Sequence, residues 1–172
     1  NQYSDARDVD LYELFYVGTE PETGAESSIT PEELRLLTGG EDPMVGCTKI
    51  TPAQMDAVLK RYTGLTLAET NQVHLDRFTY LPQYDAYYHF HGDTNYSSIS
   101  EFTYGTRSGN MVWLWYQNTT AYPAEGVWVL SLEQTGEDWL IRANENLVVY
   151  NARMSGDKYP GYEMLGAAAF AA

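Results

Sequence analysis

Two histidines one residue apart, His89-Phe90-His91, followed by Gly92-Asp93, are the residues whose types and spacing come nearest to chemistry in this chain. Side chains two apart on a strand point the same way, so the imidazoles would lie side by side. An aspartate just past the strand end would then complete a face of ligands for zinc or a similar divalent ion. The catalytic reading is a metal-dependent hydrolase centred on His89, His91 and Asp93. Against it stands a pair of strand-end histidines making hydrogen bonds near a turn. The chain holds one other histidine, His74.

The metallo-β-lactamase-type hydrolases open their site with His-x-His-x-Asp-His, and here Thr94 occupies the place of the last histidine. With three histidines in all, a two-metal centre lacks its usual imidazoles. Asp93, Asn95 and Ser97 place oxygens at alternate positions like the start of an EF-hand loop, but Ser98 stands where glycine is needed and Arg107 rather than an acid lies near the far end. A turn rich in hydrogen-bonding side chains accounts for them. Asn95-Tyr-Ser97 and Asn118-Thr-Thr120 match the glycosylation sequon. Spacing does not select a carboxylate pair for glycoside cleavage; Asp85 and Glu101 are the two to watch. No nucleophile elbow or phosphate-cradling loop is present, so no catalytic residue is assigned and the chain reads as non-catalytic. No cofactor is expected beyond the divalent ion that the histidine pair suggests.

Aromatic residues make up 14% of the chain and crowd its second half. Trp113, Trp115, Tyr87 and Tyr104 are the candidate ligand-binding rings, because glycans and peptides stack on exposed aromatic faces. Burial of the same rings in a core is the competing account. Twenty-four acids against 10 bases give a net charge of -14, which repels a polyanion and argues against nucleic acid as a partner. Residues 1–46 hold 11 of the acids and two bases, and so -9 of that charge. This reads as a solvated acidic face or an acidic docking surface. Cys47 is the sole cysteine, which excludes an internal disulfide and a cysteine-type zinc site. No stretch approaches the about 18 consecutive apolar residues of a membrane span.

These residues need elements to hold them. Leu11, Leu14 and Phe15 recur at helical spacing within 8–17. Thr30-Pro31-Glu32-Glu33 supplies a capping hydroxyl, proline at the first helical position and glutamate at the third, with Gly39-Gly40 as the stop. Thr51-Pro52 repeats the start signal ahead of Met55, Val58 and Leu59, and Gly64 is placed as the C-terminal cap. A single turn over 67–71 follows. Period-two patterning with turn signals about every ten residues then predicts strands over 74–79, 84–91, 98–106, 111–117, 126–134 and 138–143. Met111-Val-Trp-Leu-Trp-Tyr116 is apolar on both alternating faces, which places it centrally. Residues 151–172 carry no clear pattern.

The expectation is therefore one α+β domain over 1–172, with a helical part at about 8–71 and an antiparallel sheet at about 74–150. Short N-terminal helices would pack on a curved β-meander, and cystatin-like or NTF2-like arrangements are the architectural analogy. The segments Ile50–Thr70 and Tyr80–Asn95 carry a resemblance. Over residues 8–148 the chain is similar to an uncharacterised domain of exported proteins and lipoproteins from Gram-positive gut bacteria. That family has no assigned activity. The resemblance implies an extracytoplasmic setting, secreted or anchored at the cell surface, with contact to a membrane only through an anchor. A start at Asn1-Gln-Tyr-Ser with no initiator methionine fits a processed, exported chain. The expected function is ligand binding or sensing, with a glycan or a peptide as the partner.

Overall fold

A computed structural model describes residues 2–16, 29–92, 99–119 and 126–155. It is α+β with two antiparallel sheets, of three and four strands. The chain divides into two compact units, Arg7–Tyr96 and a second made of Asn1–Ala6 with Ser97–Ala172. Among the described residues no helix is long and apolar enough to cross a membrane.

In the first unit, helix α1 (Leu11–Phe15) is capped by Asp10, whose carboxylate accepts from the Glu13 N–H at 3.0 Å. Helices α2 (Pro31–Thr38) and α3 (Pro52–Thr63) both begin with a complete capping box, Thr30 with Glu33 and Thr51 with Gln54. Both end on a left-handed glycine, Gly39 at φ 69° and Gly64 at φ 77°. Each such cap is worth about 1 kcal/mol, so these two helices are defined by local chemistry. Strand β1 (Gly46–Ile50) lies between them in sequence, and β2 (Thr79–Leu81) and β3 (Ala86–His91) complete a sheet in which β3 is central. Leu11, Phe15, Ile50, Met55, Leu59 and Tyr88 are its fully buried large side chains.

Two expectations change here. The strand expected over 74–79 is a 3₁₀ turn at Leu75–Arg77 followed by the short β2, because Gln72 and His74 take positive φ (53° and 57°) and break an extended path. The strand expected from 84 starts at Ala86, since Pro82–Tyr84 forms a turn closed by Asp85 at φ 44°. Strand β1 carries no alternation of its own and exists through pairing with β3, from Gly46 opposite His91 to Ile50 opposite Tyr87. The sheet run is therefore not one meander: β3 pairs with β1 and β2 rather than with the strand that follows it.

A buried acid ties this unit together. Glu33 has no accessible surface, yet its carboxylate accepts from the Thr30 N–H at 2.6 Å and from the Tyr88 hydroxyl at 2.5 Å, and it pairs with Lys49 Nζ at 2.5 Å. Burial alone would push its pKa up. The Lys49, Tyr88 and Thr30 bonds outweigh that and hold it at about 2.

The second unit is a meander of β4 (Ile99–Ser108), β5 (Met111–Thr119), β6 (Trp128–Thr135) and β7 (Asp138–Asn146). Two-residue turns join β4 to β5 and β6 to β7, with Gly109 at φ 61° and Gly136 at φ 65° supplying the conformation that side chains disfavour. β5 is internal, with a strand on each side as expected, while both of its apolar faces over Met111–Tyr116 are only half-buried. Bulges interrupt the register between Phe102 and Tyr104 and between Ser131 and Leu132. Tyr3 bridges to the β7 edge at one residue, with two main-chain bonds to Asn144, both 2.9 Å. Helix α4 (Leu147–Ser155) follows β7 directly, with the Asn146 side chain accepting from the Val148 N–H. Its first residues, Leu-Val-Val-Tyr, read locally as strand, but Val148, Tyr150 and Ala152 are buried as helix. Here too a carboxylate is wholly buried: Glu145 accepts from Arg153 Nε at 2.8 Å, from Arg153 Nη2 at 2.6 Å and from Ser4 Oγ at 2.6 Å.

Because the folded pKa of Glu33 lies below its unfolded value of about 4.3, its stabilisation is complete above that value and is lost as pH falls from about 4 toward 2. Lys49→Met leaves the charge buried with neutral donors alone and is expected to destabilise the first unit by about 3 kcal/mol. Hydrogen exchange of the β3 amides measures this, and unchanged protection would contradict it.

Candidate functional site

The local chain path sets the surroundings of the histidine pair. Asn71 N–H bonds to Arg7 C=O at 2.7 Å, and Leu11 N–H bonds to Val73 C=O at 3.0 Å. These bonds tie α1 to the segment before β2, which places Tyr12 and Tyr16 against β3. His89 and His91 do share one face of that strand, with ring centroids 6.0 Å apart and planes at 29°. His89 is only 8% exposed, and its ring contacts Tyr12 and Tyr16, each at 4.7 Å, and Phe78 at 5.8 Å. Its Nε2 lies 3.3 Å from the Tyr12 hydroxyl. His91 contacts Tyr16 at 5.8 Å and lies over Gly46, where a Cβ would come within 3.3 Å of the imidazole. Arg77 caps the cluster, its guanidinium 3.5 Å from the Tyr12 ring centroid.

Asp93, the expected third ligand, lies outside the described residues, as do Asn95, Ser97 and Ser98 of the EF-hand-like reading. Among the described residues no group of three or more His, Cys, Asp or Glu side chains converges as a metal site would need. The third histidine, His74, pairs with Asp10 at 2.6 Å. What the cluster does is pack: an imidazole held between three aromatic rings, with a hydroxyl at one nitrogen. Cys47 belongs to β1 and pairs with Phe90, and burial, with Glu33 adding, raises its thiol to about 11. The neutral thiol is a poor nucleophile.

The aromatic candidates divide between the units. Tyr87 lies in the first, against Tyr80 at 4.7 Å and Phe78 at 6.4 Å. The other three share one face of the four-stranded sheet. Tyr104 sits directly across from Trp115 in the β4–β5 register, their rings 5.1 Å apart and tilted by 57°. Trp115 in turn meets Tyr150 of α4 edge-on at 5.6 Å. Trp113 pairs with Thr106 on one side and Ser131 on the other and is half-buried. On the same face Gln117 lies opposite Glu101. Tyr104 is 60% exposed, so the row runs from solvent into the unit's interior.

Of the two watched acids, Asp85 accepts from the Tyr80 hydroxyl at 2.6 Å in the first unit, and Glu101 stands exposed on β4 in the second. Sequence reasoning did not find Tyr150 as the inner end of the row, nor Lys49, Tyr88 and Arg153 as partners of the buried acids. Only Glu33 carried a local signal, its place in the capping box. No protein-family model, curated protein or solved structure matches this chain.

Burial pushes His89 below its ordinary pKa, with the His91 and Arg77 charges adding to it, so the folded unit prefers the neutral ring. Its contribution is complete above the unfolded value of about 6.5 and erodes as pH falls below that. An NMR titration of the His89 ring is expected to show a midpoint under about 6.5, and a midpoint above it would reverse the sign. Iodoacetamide is expected to alkylate Cys47 at neutral pH at least about tenfold more slowly than an unperturbed thiol of pKa about 8.5. Equal rates would show that the thiol is not held neutral.

Proposed function

We propose that this chain is a non-catalytic, extracytoplasmic binding module that takes carbohydrate on the β4–β5 face of its four-stranded sheet. One observation carries the reading: Tyr104 is largely exposed yet laid against Trp115, which Tyr150 meets edge-on. An exposed ring laid against a second ring that is itself packed loses little conformational freedom when a ligand covers it, which favours affinity. The apolar C–H face of a pyranose packs on such a ring, and the Gln117 amide on the same face offers a donor and an acceptor to its hydroxyls. The 57° tilt means that Tyr104 and Trp115 make a corner rather than a flat platform, so one sugar ring at a time is engaged. The setting outside the cytoplasm is the one that the resemblance to exported domains implies.

Retention on insoluble glycans and a glycan array test this. Tyr104→Ala is expected to weaken retention at least about tenfold, equivalent to about 1.4 kcal/mol, while leaving the melting temperature within a few degrees of the parent. Absence of retention on every glycan, or full retention by Tyr104→Ala, would overturn the reading.

A further inference from the structure

The hairpin of β2 and β3 carries another ring pair, within the unit Arg7–Tyr96. Tyr80 of β2 stands directly across from Tyr87 of β3, with ring centroids 4.7 Å apart and planes tilted by 40°. Tyr87 is half-buried and backed by the buried Phe78 at 6.4 Å, whereas Tyr80 is 41% exposed. The Tyr80 ring is also fixed at its tip, because its hydroxyl donates to Asp85 Oδ1 at 2.6 Å. Asp85 closes the Pro82–Tyr84 turn, its N–H bonding to Pro82 C=O at 3.2 Å, and takes φ 44°. A left-handed backbone is disfavoured at a residue with a side chain, and such positions concentrate where a ligand is held. The exposed Asp85 carboxylate accepts one side-chain hydrogen bond, from Tyr80, and forms no ion pair among the described residues, so its second oxygen faces water beside the two rings.

We propose that Tyr80, Tyr87 and Asp85 form a second carbohydrate site, which takes a neutral pyranose through an unsubstituted pair of adjacent hydroxyls. The rings supply the apolar contact. The C–H face of the sugar covers the exposed side of Tyr80, and that ring, bonded at its hydroxyl and packed on Tyr87, has little freedom left to lose. The carboxylate supplies the selection. An ionised carboxylate only accepts, so it pairs with hydroxyls that donate, and such charge-assisted bonds are stronger than neutral ones. Two hydroxyls on neighbouring carbons lie close enough to donate to one carboxylate together. The bond to Asp85 raises the Tyr80 hydroxyl above its ordinary pKa, and burial, with Asp85 adding, raises that of Tyr87. Both phenols therefore stay neutral, and Asp85 is the charged group of the three. A uronic acid sets a second carboxylate against it and is rejected. This site does not rest on the β4–β5 face: the two share no residue and lie in different units.

The probes are the methyl glycosides of glucose, galactose and mannose, with methyl glucuronide as the anionic comparison, each titrated into the whole chain and followed by NMR. At least one neutral glycoside is expected to shift Tyr80, Asp85 and Tyr87 to saturation, and the glucuronide to bind at least about tenfold more weakly than the best of them. Asp85→Asn keeps a residue type that tolerates positive φ but removes the charge, and it is expected to weaken binding at least about tenfold, as is Tyr80→Ala. Far-UV circular dichroism checks that both variants are folded. Tyr104→Ala is expected to leave these shifts unchanged, so the two sites stand or fall separately. No saturable shift at Tyr80, Asp85 and Tyr87 with any neutral glycoside, undiminished binding by Asp85→Asn, or a glucuronide bound as tightly as the neutral sugars would each overturn the proposal.

Discussion

A carboxylate taken wholly out of water must find its charge partner and its hydrogen bonds inside the protein, and each compact unit is built around one that does. Glu33 and Glu145 have no accessible surface. Breaking one side of such a group costs several kcal/mol, which is comparable with the whole stability of a small domain. The partners are therefore constraints on architecture. Lys49 and Tyr88 bring β1 and β3 to the start of α2, and Arg153 and Ser4 bring α4 and the N-terminal segment to β7. In each unit one acid joins three stretches of chain, the most distant 55 residues from Glu33 and 141 from Glu145.

The candidate surfaces follow from those joints. With α4 pinned across the sheet by Arg153, Tyr150 meets Trp115, and Trp115 supports Tyr104 at the open side. Ser4 bonds to Glu145 beside Tyr3, which pairs with Asn144 of β7. In the first unit Tyr88 turns one way to Glu33, so its neighbours His89 and Tyr87 turn the other, toward Phe78. Alternation along β3 thus gives one face to the buried ion pair and the other to the imidazole cluster. The tyrosine hydroxyl and the histidine ring are one residue apart and do different work.

What could be read ahead of the structure was what local chemistry decides. Thr30-Pro31 with Glu33, and Thr51-Pro52 with Gln54, close capping boxes within four residues, and both helices start where those residues put them. Gly109 and Gly136 supply the positive φ that the β4–β5 and β6–β7 turns need. The misses share the opposite property. β1 has five residues and no alternation, and it becomes a strand only by pairing with β3 some forty positions later. The start of α4 is β-branched, and burial of Val148 and Ala152, with the Asn146 cap, overrides that propensity. Gln72 and His74 adopt a left-handed backbone that no residue type there announces.

The sequence by itself determined the α+β class, the starts of the two capped helices, the shared face of His89 and His91, and the pairing of Trp113 with Trp115 on one side of a central strand. All of these follow from periods of 3.6 and 2 and from side chains that reach their own backbone. Only the tertiary structure decided that the strands divide into two sheets, that Tyr87 and Tyr104 belong to different units, and that His89 is enclosed by rings from α1. It also decided that, among the described residues, Glu33 and Glu145 are the buried acids. The reason is that burial and pairing are properties of segments brought together across long stretches of chain. A carboxylate reads the same in sequence whether water or an arginine will meet it.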